Sequence, residues 1–551
     1  MLLGAVAVAC GGAAPEATSG PPSTRPPAEG AAPASDTPPA PDPDQPADGE
    51  PADGEAADGV SADGVSADGE PADGEPADGE AAQSAAADAR AGENIAWTPC
   101  GAGLECGFVE VPADYRAPGG ASLKIAVNVH RAAIPAERIG YLVVNPGGPG
   151  ESGVEMVAGA PFGQFSAPVT DRFDIVGFDP RGVGLSEPAF ACGRPGEQLA
   201  LLAAIDGPVD TGGETDSAEA AAGLCIQSMG PVGGLLHSAY VARDIDEIRK
   251  ALGAGAISYL GFSYGSALGA WYATLFPDSV RAMVVDGADN PVKPVGSRQE
   301  RIDDEFETLA TLADFLDRAL SACADPDCPI FDDGDPVGYF QRAAGKLHLV
   351  NAAAGHPQAG AFGVISTLYS EDTWPALWYG LYELNEYDDP SILAEFAGFQ
   401  MGPEPGAASF TAHVNCLDDW ALHPQLDRAA RLGDSDAVTA AAGARLPLLA
   451  ATDPFIADVC PFYDQFPPEP LQGPLDGGGV PILVVGNHDD PFTAFRESEE
   501  LATEILANGY LVEVAHPTHV VYPDNRCVND HVHAVLIDGR YPAERRLSCP
   551  G

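Results

Sequence analysis

Short runs of almost unbroken apolar residues recur along this chain, separated by segments with helical spacing. The apolar runs are 123–131, 141–145, 173–179, 259–262, 282–287, 481–486 and 510–514, and helical patterns lie between them, as at 239–252 and 497–507. A strand without polar alternation has both faces buried, which is typical of parallel strands covered by helices. The pattern therefore predicts an α/β fold with a mostly parallel sheet and helices on both faces.

The alternation of strands and helices stops between about residues 290 and 479. Apolar residues there follow helical spacing over 299–323, and a further helical stretch covers 374–384. Because strands resume afterwards, we expect one sheet domain interrupted by a helical cap. The predicted core covers 94–290 and 480–551, and the predicted cap covers 291–479. A chain of 551 residues exceeds the usual size of a single core, which agrees with this division.

The first 93 residues differ in composition from the rest. Residues 13–92 are mostly Pro, Ala, Gly, Asp and Glu, and a five-residue unit such as PADGE recurs seven times from 46 to 80. Such a segment buries too little apolar surface to offset the entropy of folding. We therefore expect a disordered acidic linker over 11–93, extended by the repulsion of its like charges.

Residues 1–10, MLLGAVAVAC, form a short apolar segment that ends in Cys10. This segment resembles the end of a bacterial lipoprotein signal, so we predict that Cys10 is lipidated after export. The alternative is a frayed terminus with an accidental cysteine, because no charged residue precedes the apolar run. No other run of about 18 apolar residues exists, so no other membrane span is expected.

The acidic composition narrows the range of partners. The formal net charge of −55 would repel phosphate backbones and anionic lipid headgroups. We therefore expect no nucleic acid partner, and membrane contact only through a lipid on Cys10. The eleven cysteines favour an oxidising compartment, which is the cell envelope or the extracellular space for an exported bacterial protein. We expect a monomer without a cofactor.

The stretch GFSYG, residues 261–265, follows an apolar run and precedes a helical pattern rich in small residues. In a strand-to-helix turn of this form the serine is the nucleophile and flanking glycines allow close packing. The motif alone fits a polar turn equally well. Its context makes Ser263 the candidate nucleophile.

A serine that attacks a carbonyl group also needs backbone N–H groups to stabilise the developing oxyanion. The stretch YLVVNPGGPGESG, residues 141–153, predicts a buried strand followed by a glycine-rich loop. The loop lacks the sequence signatures of phosphate and dinucleotide sites. We therefore assign the oxyanion hole to the N–H groups of Gly148 and Tyr264.

The acid and the base are expected after later strands, in the order serine, carboxylate, histidine. Asp490 follows the apolar run 481–486, and His519 follows the last predicted strand. Asp489, His516 and His488 are the nearest competitors. Metal ligation is an alternative, because His516 with His519, and His531 with His533, have ligand-like spacing. No HExxH motif accompanies them, so we predict no metal.

These motifs together resemble the secreted tripeptidyl aminopeptidases of the α/β-hydrolase superfamily, relatives of proline iminopeptidase that include mycobacterial cell-envelope serine hydrolases. The resemblance covers residues 97–549 and depends on CGFVEVPADY, NPGGPGESG, FDPRGVGLSEP, GFSYG, VNCLDD, DPFT and the closing DGRYPAERRLSC. It implies that Asp490 rather than Asp489 is the triad acid and that His519 is the base. Ala494 and Thr518 depart from the family pattern, which has proline and glycine there.

The resemblance also implies disulfide pairing and activity. The implied pairs are Cys100 with Cys106, Cys192 with Cys225, Cys323 with Cys328, Cys416 with Cys460, and Cys527 with Cys549, which leaves Cys10 for lipid. The implied activity is an exported serine aminopeptidase that releases tripeptides from peptides with free N-termini. Its substrate amine calls for carboxylates near the cap. The candidates are Glu371, Asp372, Asp418 and Asp419. The alternatives are a carboxylesterase with the same triad and a catalytically inactive surface-binding protein.

Overall fold

The computed structural model describes residues 92–160, 163–192, 213–292, 297–355, 359–401, 407–447, 459–466, 471 and 473–551. The predicted signal segment with Cys10, and the linker up to residue 91, lie outside the described residues. Glu93, which the prediction assigned to the linker, belongs to the folded domain. Its carboxylate accepts hydrogen bonds from Arg131 Nη1 at 2.7 Å and from the Tyr141 hydroxyl at 2.6 Å.

Within the described residues, ten strands form one sheet. They are β1 (Thr98–Gly101), β2 (Leu104–Pro112), β3 (Ser122–His130), β4 (Gly140–Asn145), β5 (Phe173–Phe178), β6 (Ile257–Phe262), β7 (Val280–Asp286), β8 (Ile482–Asn487), β9 (Gly509–Val514) and β10 (Arg546–Ser548). Their order is β1-β2-β3-β5-β4-β6-β7-β8-β9-β10. The β1–β2, β2–β3 and β3–β5 pairs are antiparallel, and the remaining pairs are parallel. The predicted mostly parallel sheet is confirmed, although the apolar pattern missed β1, β2 and β10.

Helices cover both faces of this sheet. Those outside the cap are α1 (Gly153–Ala158), α2 (Ala167–Thr170), α3 (Gly213–Met229), α4 (Ser238–Ala251), α5 (Tyr264–Leu275), α14 (Phe495–Glu500) and α15 (Arg526–Leu536), and a π-helical turn (Leu501–Ile505) continues α14. In β4, Val143 packs in one hydrophobic cluster with α4 and α5, whereas Leu142 and Val144 pack in another with α1, α2 and α15. Because successive strand side chains point to opposite faces, an unbroken apolar run requires both clusters.

The cap is helical, as the periodicity predicts. Its helices are α6 (Arg298–Ser321), α7 (Pro336–Ala344), α8 (Leu347–Ala354), α9 (Ala359–Ser366), α10 (Trp374–Tyr387), α11 (Ser391–Met401), α12 (Ala407–Leu422) and α13 (Arg428–Arg445). Much of the cap has its own buried cluster, which includes Leu316, Phe340 and Leu381. Helix α12 differs, because Phe410 and Val414 pack in a cluster of the sheet domain. The cap therefore shares part of its core with the sheet.

The five cysteine pairs implied by the family resemblance are all disulfides in the structure. Cys416–Cys460 joins α12 to the short helix Cys460–Gln465. Cys527–Cys549 joins α15 to the residue after β10. Among the described residues, no helix has the length and apolar character needed to cross a membrane.

A buried ion pair holds the loop after β5 against α4. The Arg181 side chain is fully buried and donates to both carboxylate oxygens of Asp244, at 2.7 and 2.6 Å. Its remaining three N–H groups donate to backbone carbonyls of Ala113, Leu235 and Pro112. Every donor of the guanidinium group is therefore satisfied, which offsets the cost of removing it from water.

Replacing Arg181 with Met should strongly destabilise the fold, because it leaves the Asp244 carboxylate buried without a counter-charge. We expect the free energy of unfolding to fall by about 3–5 kcal/mol. Arg116→Met, which removes an exposed partner of Asp114, should cost less than about 1 kcal/mol. Urea denaturation followed by circular dichroism measures both. If the double variant Arg181→Met with Asp244→Leu were no more stable than Arg181→Met alone, the unpaired charge would not be the cause.

Candidate active site

Ser263 occupies a strained turn between β6 and α5. Its backbone has φ 53° and ψ −129°, a left-handed conformation that residues other than glycine rarely adopt. Two hydrogen bonds hold this turn: Ser263 N donates to Asp286 O at 3.0 Å, and Ser266 N donates to Ser263 O at 2.8 Å. A Cβ atom on Gly261 would lie 2.3 Å from the carbonyl oxygen of Gly265. Only glycine therefore permits this close packing, as the motif predicts.

The glycine-rich loop after β4 lies directly on this turn. Gly147 has φ +109°, and a Cβ atom there would lie 2.6 Å from Phe262 O, 2.9 Å from Ser263 Cβ and 3.2 Å from Tyr264 N. Gly147 N donates to Asn145 Oδ1 at 3.1 Å, which anchors the loop to the end of β4. The loop that contains Gly148 thus adjoins the first residue of α5, although the role of its N–H group in an oxyanion hole stays a prediction.

His519 and Asp490 form a buried pair beyond the ends of β8 and β9. The Nδ1 atom of His519 lies 2.8 Å from Asp490 Oδ1 and 3.0 Å from Oδ2. The Asp490 carboxylate also accepts from the backbone N–H groups of Phe492 and Thr493, at 2.8 and 3.0 Å, and from the Thr493 hydroxyl at 2.8 Å. His519 N donates to Tyr369 O at 2.9 Å, so the cap also holds this loop. The carboxylate orients the imidazole and leaves Nε2 for another partner.

The competing acid and histidines have other surroundings. Asp489 pairs with Arg318 of the cap at 2.8 Å. His488 stacks on the Phe495 ring, with centroids 3.7 Å apart, and lies 3.3 Å from Glu513. His516 lies in the loop before His519, and its backbone N–H donates to Asn487 Oδ1 at 2.9 Å. Neither His488 nor His516 has a carboxylate arrangement like that of His519.

The residues at the end of β7 connect Ser263 to the His519 loop. Asp286 accepts from Ser263 N through its main-chain oxygen, and its Oδ2 accepts from the N–H groups of Val521 and Tyr522 at 3.0 and 2.7 Å. A Cβ atom on Gly287 would lie 2.9 Å from His519 O and 3.4 Å from Asp490 Oδ2. The strand end therefore lies between the serine turn and the histidine–aspartate pair.

Asp286 is a functional candidate that the sequence reasoning missed. Its side chain is fully buried, and its Oδ1 has no hydrogen-bond partner among the described residues. Burial raises the pKa of this carboxyl group to about 7, against the lowering effect of the two backbone donors. The rule that identified Asp490, a carboxylate at the carboxyl end of a predicted strand, applies equally to Asp286 in VVDG.

The electrostatics of the site favour a charged imidazole. Burial lowers the pKa of His519, but Asp490 opposes it by charge and hydrogen bonding, and Asp286 and Glu151 add negative charge. The pKa of His519 is raised as a result. A buried imidazole surrounded by carboxylates is suited to accept a proton during a reaction.

The four predicted amine-binding carboxylates separate into two pairs. Asp418 is buried and accepts from Ser238 N at 2.9 Å and from the Ser238 hydroxyl. Asp419 pairs with Arg431 and lies 3.0 Å from His423 Nδ1. Because protein groups already engage Asp418 and Asp419, we withdraw them as amine ligands.

Glu371 and Asp372 have a different environment. Both are exposed in the short helix Glu371–Thr373. Glu371 N donates to Pro517 O at 3.1 Å, which brings this edge of the cap next to the His519 loop. Glu371 and Asp372 therefore stay candidates for the substrate amine.

Among the described residues, neither histidine pair belongs to a close group of three metal ligands that are all free to bind. In the part of the chain that the structure describes, the one close group of potential ligands is Cys527, His531 and Cys549. Both cysteines are joined in a disulfide, so neither offers a thiolate. His533 Nε2 lies 2.7 Å from the Ser166 hydroxyl. The donor set is thus too small for zinc.

Replacing Gly147 with Ala tests the contact between the two turns. The new Cβ would meet backbone atoms of residues 262 and 264, so we expect a loss of about 1–3 kcal/mol in the free energy of unfolding beyond that of the control Gly163→Ala. Gly163 has φ +94° but no atom within 4 Å of a built Cβ, so the control has the same backbone strain without the contact. Urea denaturation measures both variants, and equal losses would contradict the close packing.

Comparison with known proteins identifies the family. Residues 140–346 match the family model described as alpha/beta hydrolase fold, and residues 451–549 match the model described as TAP-like protein. The chain is 32% identical to the tripeptidyl aminopeptidase of Streptomyces lividans over 500 residues, which cover 84% of this chain and 87% of that protein.

Two mycobacterial relatives have different names. The chain is 30% identical to the serine protease Hip1 of Mycobacterium tuberculosis over 489 residues, 82% of this chain and 90% of the relative. It is 29% identical to carboxylesterase B of the same species over 464 residues, 79% of this chain and 85% of the relative. With these similarities and the geometry above, the chain belongs to the TAP-like family of α/β hydrolases and is a serine hydrolase of the peptidase type.

Proposed function

We propose that this chain is an exported serine aminopeptidase that hydrolyses peptides near their free N-termini and releases tripeptides. The observation that carries the proposal is the buried His519–Asp490 pair, at 2.8 Å, which the end of β7 connects to the strained turn of Ser263. The end of β7 contacts both, because Asp286 O accepts from Ser263 N and Gly287 packs against His519 O. Strain of this kind at a serine is typical of a nucleophile presented at the end of a strand.

The proposed mechanism is acyl transfer in two steps. The Ser263 hydroxyl attacks the scissile carbonyl carbon while His519 Nε2 accepts its proton. Asp490 orients the imidazole and stabilises its positive charge. The N–H groups of Gly148 and Tyr264 donate to the oxyanion.

The tetrahedral intermediate then breaks the carbon–nitrogen bond. His519 returns its proton to the leaving amine, and Ser263 retains the acyl group. Water, deprotonated by His519, hydrolyses the ester and restores the serine. Each proton that His519 accepts in one step is donated in the next, so the enzyme is regenerated.

Export and substrate class have separate support. The five disulfides fit an oxidising compartment, and Cys10 is the proposed lipid anchor of a monomeric envelope protein. Relatives named tripeptidyl aminopeptidase and serine protease support peptide substrates. Glu371 and Asp372, at the edge of the cap beside the His519 loop, are proposed to attract the free amine.

A carboxylesterase is the second candidate. The relative named carboxylesterase B supports it, because the same triad and acyl-enzyme chemistry would hydrolyse short acyl esters. The two functions differ in the leaving group and in the need for a free α-amine, so substrate pairs distinguish them.

The test compares wild type with Ser263→Ala on Ala-Ala-Pro anilides that carry a free or an acetylated N-terminus. We expect wild type to favour the free amine strongly and to release the intact tripeptide, as measured by mass spectrometry. Ser263→Ala should lose activity by about 10⁴-fold or more, together with fluorophosphonate labelling, whereas the exposed cap variant Ser321→Ala should keep both. Hydrolysis of acyl esters alone would favour the carboxylesterase, and labelling of Ser263→Ala would remove the nucleophile assignment.

Replacing Asp286 with Asn should move the acidic limb of the pH profile. Asp490, Asp286 and Glu151 all raise the pKa of His519, and the base must be neutral to accept a proton. Because the pKa of Asp286 is about 7, its charge acts on His519 from about that pH upwards. Removing this charge lowers the pKa of His519, so kcat/KM near and above pH 7 should reach its plateau at lower pH than in wild type. Asp489→Asn is the matched control, since Arg318 already pairs with that carboxylate. An unchanged limb in Asp286→Asn would show that Asp286 does not act on His519.

A further inference from the structure

We infer that Glu151, in the glycine-rich loop after β4, binds the α-ammonium group of the peptide substrate. The inference rests on the proposed aminopeptidase function and assigns its amine recognition to a residue outside the cap. The residue was not among the carboxylates that the sequence analysis singled out.

Glu151 belongs to the turn that packs on the nucleophile. Its N–H donates to Gly147 O at 3.3 Å, which closes the turn. A Cβ atom on Gly148 would lie 3.0 Å from Glu151 N and 3.4 Å from its Cγ. Because Gly147 itself lies against Ser263, the glutamate side chain begins one tight turn away from the reacting hydroxyl.

The cap covers the other side of the same loop. A Cβ atom on Gly150 would lie 2.8 Å from the Phe410 ring, and the Thr411 hydroxyl donates to Pro149 O at 2.6 Å. Both Phe410 and Thr411 belong to α12. The loop therefore lies between the serine turn and helix α12 of the cap.

The Glu151 carboxylate is accessible to solvent. Its side chain is exposed to solvent, and it has no hydrogen-bond or ion-pair partner among the described residues. The surrounding protein nevertheless raises the pKa of this carboxyl group by burial, and the charge of His519 opposes that shift.

Neighbouring carboxylates are already engaged by the protein. Asp179 accepts from the Ser152 hydroxyl at 2.5 Å and from Leu185 N at 3.0 Å. Asp418 and Asp419 bind Ser238 and Arg431. An accessible carboxylate in the turn that packs on the nucleophile, with no hydrogen-bond or ion-pair partner among the described residues, is suited to bind a cation of the substrate, and a peptide with a free N-terminus carries an ammonium group there.

Substitutions that keep the shape of Glu151 test whether its charge binds the substrate amine. Glu151→Gln removes the charge but keeps the shape, and Glu155→Gln is the control, an exposed glutamate at the start of α1. The substrates are the free and acetylated Ala-Ala-Pro anilides and a short acyl ester that has no amine. We expect KM for the free amine to rise about tenfold to a hundredfold in Glu151→Gln, the size expected for a charge-assisted hydrogen bond.

The expected pattern includes a lost preference for the free amine over the acetylated peptide. Glu151→Asp should restore part of this preference, and Glu155→Gln should keep it. An unchanged preference in Glu151→Gln would overturn the inference. Equal losses of kcat on peptide and ester would also overturn it, because they would show that Glu151 acts through the charge of His519. If wild type itself cleaved free and acetylated peptides equally, the proposed aminopeptidase function would fail first, and this inference with it.

Discussion

The close contact between the loop after β4 and the turn after β6 is the constraint on which the site depends. Gly147 approaches Phe262 O and Ser263 Cβ at distances that exclude any side chain. The same contact holds Ser263 in a left-handed conformation that the residue would not adopt alone. Strain of this kind persists only where the surrounding structure outweighs it, and here the sheet register supplies that support through Asn145, which pairs with Gly261. The geometry of the serine is therefore a property of the whole sheet.

The His519 loop is held by the sheet and by the cap. Asp286 binds the N–H groups of Val521 and Tyr522 from the end of β7, and Tyr369 of the cap binds His519 N. These contacts place the imidazole among several carboxylates, which together overcome the effect of burial on its pKa. Burial disfavours the charged form of a histidine. The neighbouring carboxylates favour that form, so they make it easier for the imidazole to accept a proton.

One helix of the cap contributes side chains to the hydrophobic core of the sheet domain. Helix α12 packs Phe410 against Gly150 and Gly182, and it binds Ser238 through Asp418. Helix α12 therefore contacts both the glycine-rich loop and the sheet domain, and its packing supports the cap and the candidate site together. Asp418 and Asp419 on this helix bind Ser238 and Arg431, so both carboxylates serve contacts within the protein.

The sequence by itself determined the parallel sheet, the helical cap and the serine turn, because the burial of an apolar strand and the backbone conformation of GFSYG depend on neighbouring residues in the chain. Only the tertiary structure decided which polar groups meet. Asp490 and Asp489 are adjacent in the chain, yet one faces His519 and the other pairs with Arg318. Asp286 lies at a strand end that the sequence predicts, but its bonds to the N–H groups of Val521 and Tyr522 join segments far apart in the chain, and no local pattern encodes such contacts. Which polar side chains meet depends on the order of the strands and on how the loops pack. Both are fixed only when the helices pack on the sheet.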